Sequence, residues 1–203
     1  RLATGADGTV LTSTGAAAVP AFEALPAAGG GITHASQWLL TSSLTTANTA
    51  PITANLAEVV AGLDGYGRIG ASFAAPSSGV FTFPATGIWQ IRFTFLCYAA
   101  TTHSDVDATD VGLRGFAKCE IFTTTNDSTY DGAAEAMTNL AKPPDEPRCY
   151  GGATCDFLFD VTDTATHKCR FGVSCSYPAT AITFQGQAAL SNTFFSFVRL
   201  GDT

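Results

Sequence analysis

The run Ile88–Ala99 (IWQIRFTFLCYA) constrains this chain most, because apolar Ile91, Phe93 and Phe95 alternate strictly with Arg92 and Thr94. Side chains of a β-strand point to opposite faces with a period of two, whereas a helix gathers positions three and four apart on one side. The run is therefore a strand with one face in a core and the other wet or set against a partner. Similar short runs recur at Gln37–Ser42, Ile52–Val60, Arg68–Phe73, Gly79–Phe83, Gly112–Thr123, Thr154–Val161, His167–Ser176, Ile182–Ala188 and Thr193–Leu200, with turn residues between them. That texture predicts an all-β sandwich or barrel. The last run carries Phe194, Phe195, Phe197 and Val198 on both faces, which predicts a central or interface strand.

Composition narrows the function. Among 203 residues, 46% are hydrophobic and 13% charged, about half the charge density usual in a soluble domain, so part of the surface is expected to lie against other subunits. A net charge of −7 with ten scattered basic residues argues against nucleic acid, which requires clustered Lys and Arg. No apolar run approaches the roughly 20 residues of a membrane helix, and no signal segment opens the chain, so membrane insertion is not expected. The chain begins at Arg1 without Met and reads as a piece of a longer one.

Residues 1–35 are rich in Gly, Ala, Thr and Ser and cannot bury a core alone. They read as a linker, or as an extended stalk ordered only when chains wind together, leaving residues 36–203 as the head domain. Within the head, Thr124–Gly152 reads as an unstructured insert, because Pro143, Pro144 and Pro147 forbid a continuous strand. Residues 133–141 (AAEAMTNLA) predict a short helix inside it. Long inserts tend to carry specificity, so Tyr130, Asp131 and Tyr150 are the candidate receptor-contact residues.

Other patterns carry less chemistry. Gly65–Gly70 matches G-x-G-x-x-G, but Pro76 and Gly79 stand where the dinucleotide fold needs a helix, so it reads as a glycine-rich turn and no cofactor is expected. Asp105, Asp107 and Asp110 read as a solvated acidic loop, with a hard cation such as Ca²⁺ as the competing reading. Cys169 and His167 share a strand face, and no nucleophile elbow or metalloprotease pairing surrounds the histidines, so no active site is selected and the chain is not read as an enzyme. The six cysteines read mostly as small buried hydrophobes, with one bridge within Cys149–Cys175, joining different strands or crossing a bend at Gly151–Gly152, as the alternative.

The stretch Ser78–Ile91 (SGVFTFPATGIWQI) resembles the S-G-x-F-x-x-P-x-x-G-x-Y signature of C1q/TNF-like jelly rolls, with Trp89 in place of the usual Tyr. Ser191–Leu200 (SNTFFSFVRL) is similar to the closing strand of that family, without its usual Gly. Gly8–Phe22 resembles the V-L-T-S-x-G segment found in phage tail fibres. Together these resemblances imply a C1q/TNF-like jelly-roll β-sandwich that forms a homotrimer on the surface of a virion. The N-terminal segment would attach to other virion proteins, and the head would bind a host-surface receptor or glycan without catalysis. A capsid decoration protein that only trimerises and a secreted C1q-like binding module are the alternatives.

Overall fold

A computed structural model describes residues 6, 9–12, 20–24, 31–59, 67–100, 115–140, 148–176 and 182–203. The chain divides into two units, Arg1–Gly31 and Ile32–Thr203. In the first, β1 (Thr9–Thr12) and β2 (Ala21–Ala24) pair antiparallel, with Leu11 opposite Phe22. The Thr12 hydroxyl donates to Glu23 at 2.7 Å. The segment read as a linker or stalk thus carries a hairpin at these positions. A two-stranded hairpin is marginal by itself, and this one leaves Leu11 and Phe22 each more than two-fifths exposed.

The second unit is a sandwich of antiparallel sheets. Its strands are β3 (Ala35–Leu40), β4 (Ser42–Thr45), β5 (Asn48–Thr49), β6 (Leu56–Glu58), β7 (Phe81–Thr82), β8 (Gly87–Ala100), β9 (Gly115–Thr124), β10 (Asp131–Leu140), β11 (Arg148–Val161), β12 (Lys168–Cys175), β13 (Ile182–Gln187) and β14 (Phe194–Gly201). A seven-stranded sheet runs β4-β13-β8-β14-β3-β6, with β11 along the whole of the other edge of β8. A five-stranded sheet runs β10-β9-β12-β5, with β7 also on β12.

The alternation in β8 decides which side chains meet. Trp89, Ile91, Phe93, Phe95 and Cys97 are fully buried, while Gln90, Arg92, Thr94, Leu96 and Tyr98 face outward. The inward set packs on Phe195 and Phe197 of β14 and, across the sandwich, on Phe171 and Phe81. Ring centroids there are 4.4 Å apart for Phe171 and Phe195 and 5.3 Å for Phe93 and Phe171. Trp89 is buried without an orphaned donor, because its indole N–H donates to the Ala85 carbonyl at 3.1 Å. The last strand is central, as its sequence implies, hydrogen-bonded to β8 on one side and β3 on the other.

Three expectations are corrected. Residues 131–140 form β10, a strand on the edge of the five-stranded sheet, where a helix was expected. Pairing with β9, including an ion pair between Lys118 and Glu135 at 3.1 Å, outweighs the modest helix preference of Ala, Glu and Met. Gly151 and Gly152 lie inside continuous β11 and make no bend. A Cβ at Gly151 would meet Leu140 and Thr138, and one at Gly152 the Phe95 carbonyl, so close approach explains both. Arg68–Phe73 is no strand either, holding to the sheet by one bridge from Ile69 to Ala35.

Gly79 ends the turn from Ser77 with φ +78°, and a Cβ there would overlap the carbonyl oxygen of Ile52. Both effects exclude side chains. Gly79→Ala is expected to cost about 2 kcal/mol or more, read as a thermal midpoint lowered by roughly 6 °C.

Candidate functional site

Outward positions of the seven-stranded sheet line up in rows across β11, β8 and β14. One row holds Leu158, Gln90 and Val198, the next Asp156, Arg92 and Ser196, and a third Thr154, Thr94 and Phe194. Two pairs of polar groups on this face meet each other. The Arg92 guanidinium donates twice to Asp156, at 2.7 and 3.4 Å, and the Thr94 and Thr154 hydroxyls meet at 2.8 Å. The hydrogen bond and charge of Asp156 hold the Arg92 guanidinium above its ordinary pKa. Among these polar pairs lie apolar side chains, with Leu158 60% exposed and Phe194 and Val198 half-buried.

At one end of this face the aromatic side chains gather. Tyr150 on β11 lies opposite Tyr98 on β8, their rings 5.8 Å apart, and Arg148 places its guanidinium 4.4 Å from the Tyr98 ring centre. A hydrogen bond with Tyr150 first, then the charge of Tyr98, raises the Arg148 pKa above its ordinary value. Tyr150 is 58% exposed. Two ring faces beside a fixed cation can stack on a sugar ring or anchor an interface. Tyr98 was missed in the sequence, although it is an outward position of the same alternating run.

Tyr130 and Asp131 lie elsewhere. Asp131 opens β10 in the five-stranded sheet and Tyr130 stands just before it, so the three candidate contact residues are not brought together. Asp131 is exposed opposite Thr123. Tyr130 is half-buried against Arg170, whose guanidinium sits 4.2 Å from its ring and 5.5 Å from that of Phe122. Burial and the nearby Asp127 raise the Tyr130 phenol pKa. Its ring is thus committed to an intrachain stack. Nearby, Lys118 bridges Glu120 at 2.8 Å and Glu135 at 3.1 Å, beside a shallow cavity of about 290 Å³ lined by both carboxylates and by Gly132, Ala133 and Ala134.

Cys169 lies in β12 while His167 stands just before that strand, half-buried. Cys169 is wholly buried in the core, and desolvation pushes its thiol pKa up, so it stays protonated and a poor nucleophile. His167 lies within 3.2 Å of the Thr162 hydroxyl and 3.1 Å of the Thr166 hydroxyl. The acidic run with Asp105, Asp107 and Asp110 lies outside the described residues, as do Gly65 and Tyr66 of the glycine motif.

No family model and no curated protein matches the chain. Solved structures do. Murine APRIL at pH 5.0 superposes with a TM-score of 0.50 at 14% identity, over 82% of this chain and 99% of that one. Eiger TNF from S. frugiperda superposes with a TM-score of 0.50 at 11% identity, over 85% of this chain and 96% of that one. At such identities the likeness is one of fold, here a sandwich of antiparallel sheets. The chain thus has the TNF-like form of the all-β jelly-roll sandwich.

Proposed function

We propose that this protein is the adhesive head of a virion appendage, a phage tail fibre or a similar structure, working as a homotrimer that binds a host-surface receptor or glycan without catalysis. One observation carries the reading. The outer face of the seven-stranded sheet carries apolar Leu158, Phe194 and Val198 among polar side chains, with Arg92 paired to Asp156, and ends in the exposed cluster of Tyr98, Tyr150 and Arg148. Three copies packed through the apolar part bury what the low charge density leaves open. Repeating the aromatic cluster three times multiplies weak contacts, which suits attachment to a surface.

The N-terminal hairpin supports the same reading. Its exposed Leu11 and Phe22 form a cross-strand pair that other copies or neighbouring virion proteins can cover. The similarity of Gly8–Phe22 to tail-fibre segments supplies the viral setting.

Light scattering on the full chain, followed by binding to bacterial cells and to a glycan array, tests the proposal. The expected results are three times the 21.0 kDa chain mass and cell binding that Tyr150→Ala weakens about tenfold, the loss of roughly one aromatic anchor. Because Tyr150 is exposed, that variant keeps wild-type thermal stability. A trimer that binds neither cells nor glycans, or electron microscopy that places the protein on the capsid shell, would favour a decoration role instead.

A further inference from the structure

We infer that Cys119 and Cys155 form a disulfide that fastens the two sheets of the sandwich to each other when the chain folds in an oxidising compartment. Cys119 belongs to β9 in the five-stranded sheet and Cys155 to β11 in the seven-stranded sheet. Both side chains point into the core, at 0% and 5% exposure, and their sulfurs lie 3.5 Å apart. Bond formation requires the sulfurs to close to about 2.05 Å, a shift that rotation about the two Cα–Cβ bonds supplies.

The surroundings poise the pair unequally. Cys119 has the Phe93 and Ala136 carbonyls within 3.9 and 3.6 Å, and the hydrogen bond from Cys155 lowers its thiol pKa. The same contact raises the pKa of Cys155. The exchange can begin at Cys119. Its thiolate attacks a low-molecular-weight disulfide such as oxidised glutathione, forming a mixed disulfide and releasing one thiol. The Cys155 thiolate then attacks the Cys119 sulfur, forms the intrachain bond and expels the second thiol. Two protein thiols are oxidised and one small disulfide is reduced to two thiols. Burial in the finished fold places this exchange during folding, before the sheets close.

The other cysteines are less suited. Cys97 feels the charge of Cys149 and Cys175, and burial pushes its pKa up to about 12. A bond between Cys97 and Cys149 would join β8 and β11, strands already paired along their whole length. Cys119 and Cys155 are 36 positions apart and enclose all of β10, so their bond restricts the unfolded chain and pins an edge strand.

The test refolds the full chain with oxidised and reduced glutathione, and in parallel with excess reductant. Non-reducing peptide mapping follows, with trypsin and then chymotrypsin, because cleavage after Tyr150 is needed to separate Cys149 from Cys155. A linked Cys119–Cys155 peptide and a thermal midpoint roughly 10 °C above the reduced protein are expected. Cys97→Ser should keep both, and the double variant Cys119→Ala with Cys155→Ala should fold without gaining stability on oxidation. Six alkylatable thiols after oxidative refolding, or a bridge using Cys97 and Cys149, would overturn the inference. Mapping of the unmutated chain decides the matter even where the double variant fails to fold.

Discussion

Phe171→Ala is expected to cost about 3–5 kcal/mol of folding stability, the range for deleting a buried ring. That corresponds to a thermal midpoint lower by roughly 10–15 °C for a chain of this size. Phe171 is 1% exposed and reaches from β12 across the sandwich to Phe93, Phe195 and Phe197. Its ring also packs on Phe81 at 5.4 Å. Truncation therefore opens a cavity between the sheets, where stiff neighbours cannot collapse into it. Phe171→Leu fills most of the volume and should cost under about 1.5 kcal/mol. Denaturant unfolding of both variants measures the gap, and equal losses would mean that the ring contacts are not what holds the sheets.

Leu158→Arg is expected to turn the proposed trimer into monomers while the sandwich stays folded. Leu158 is 60% exposed in the single chain, so the substitution has little to disturb within it. Between copies, each arginine would force a bulky charge into the place where Leu158 packs, at a cost of several kcal/mol. Since about 1.4 kcal/mol is tenfold in affinity, the dissociation constant should rise on the order of 100-fold or more. Sedimentation or light scattering across a dilution series reads the change. A variant that keeps the wild-type assembly mass would move the association surface off this face.

Much of the architecture was visible in periodicity. The alternation of Ile91, Phe93 and Phe95 placed β8 and its buried face, and the apolar closing strand proved central. Legibility failed where local preference and long-range pairing disagreed. AAEAMTNL reads as helical because its residues favour helices weakly, yet nine of the ten positions of β10 find ladder partners on β9. Gly151 and Gly152 look like a bend because glycine so often marks one, whereas here the missing side chains admit Thr138, Leu140 and the Phe95 backbone. Nothing local to Thr9–Thr12 or Ala21–Ala24 announces a hairpin in so low-complexity a stretch.

The candidate site was harder to read, for a topological reason. Tyr130 looked available in a polar insert, but its ring is taken by Arg170, a residue 40 positions later on β12. Tyr150 acquires meaning only beside Tyr98, which β8 supplies from 52 positions earlier. Sequence neighbours such as Tyr130 and Asp131 suggested one loop surface, while strand pairing distributed the tyrosines over two sheets.

The burial of both tryptophans makes the head its own optical reporter. Trp38 and Trp89 are 4% and 0% exposed, each against phenylalanine rings, and no tryptophan or tyrosine occurs in residues 1–31. Intrinsic indole emission should therefore begin at short wavelength and move to longer wavelength only when the sandwich opens. The hairpin is spectroscopically silent. Far-ultraviolet circular dichroism, which registers both units, can be set against that emission during one titration, and any separation of the two curves would isolate the melting of the N-terminal strands.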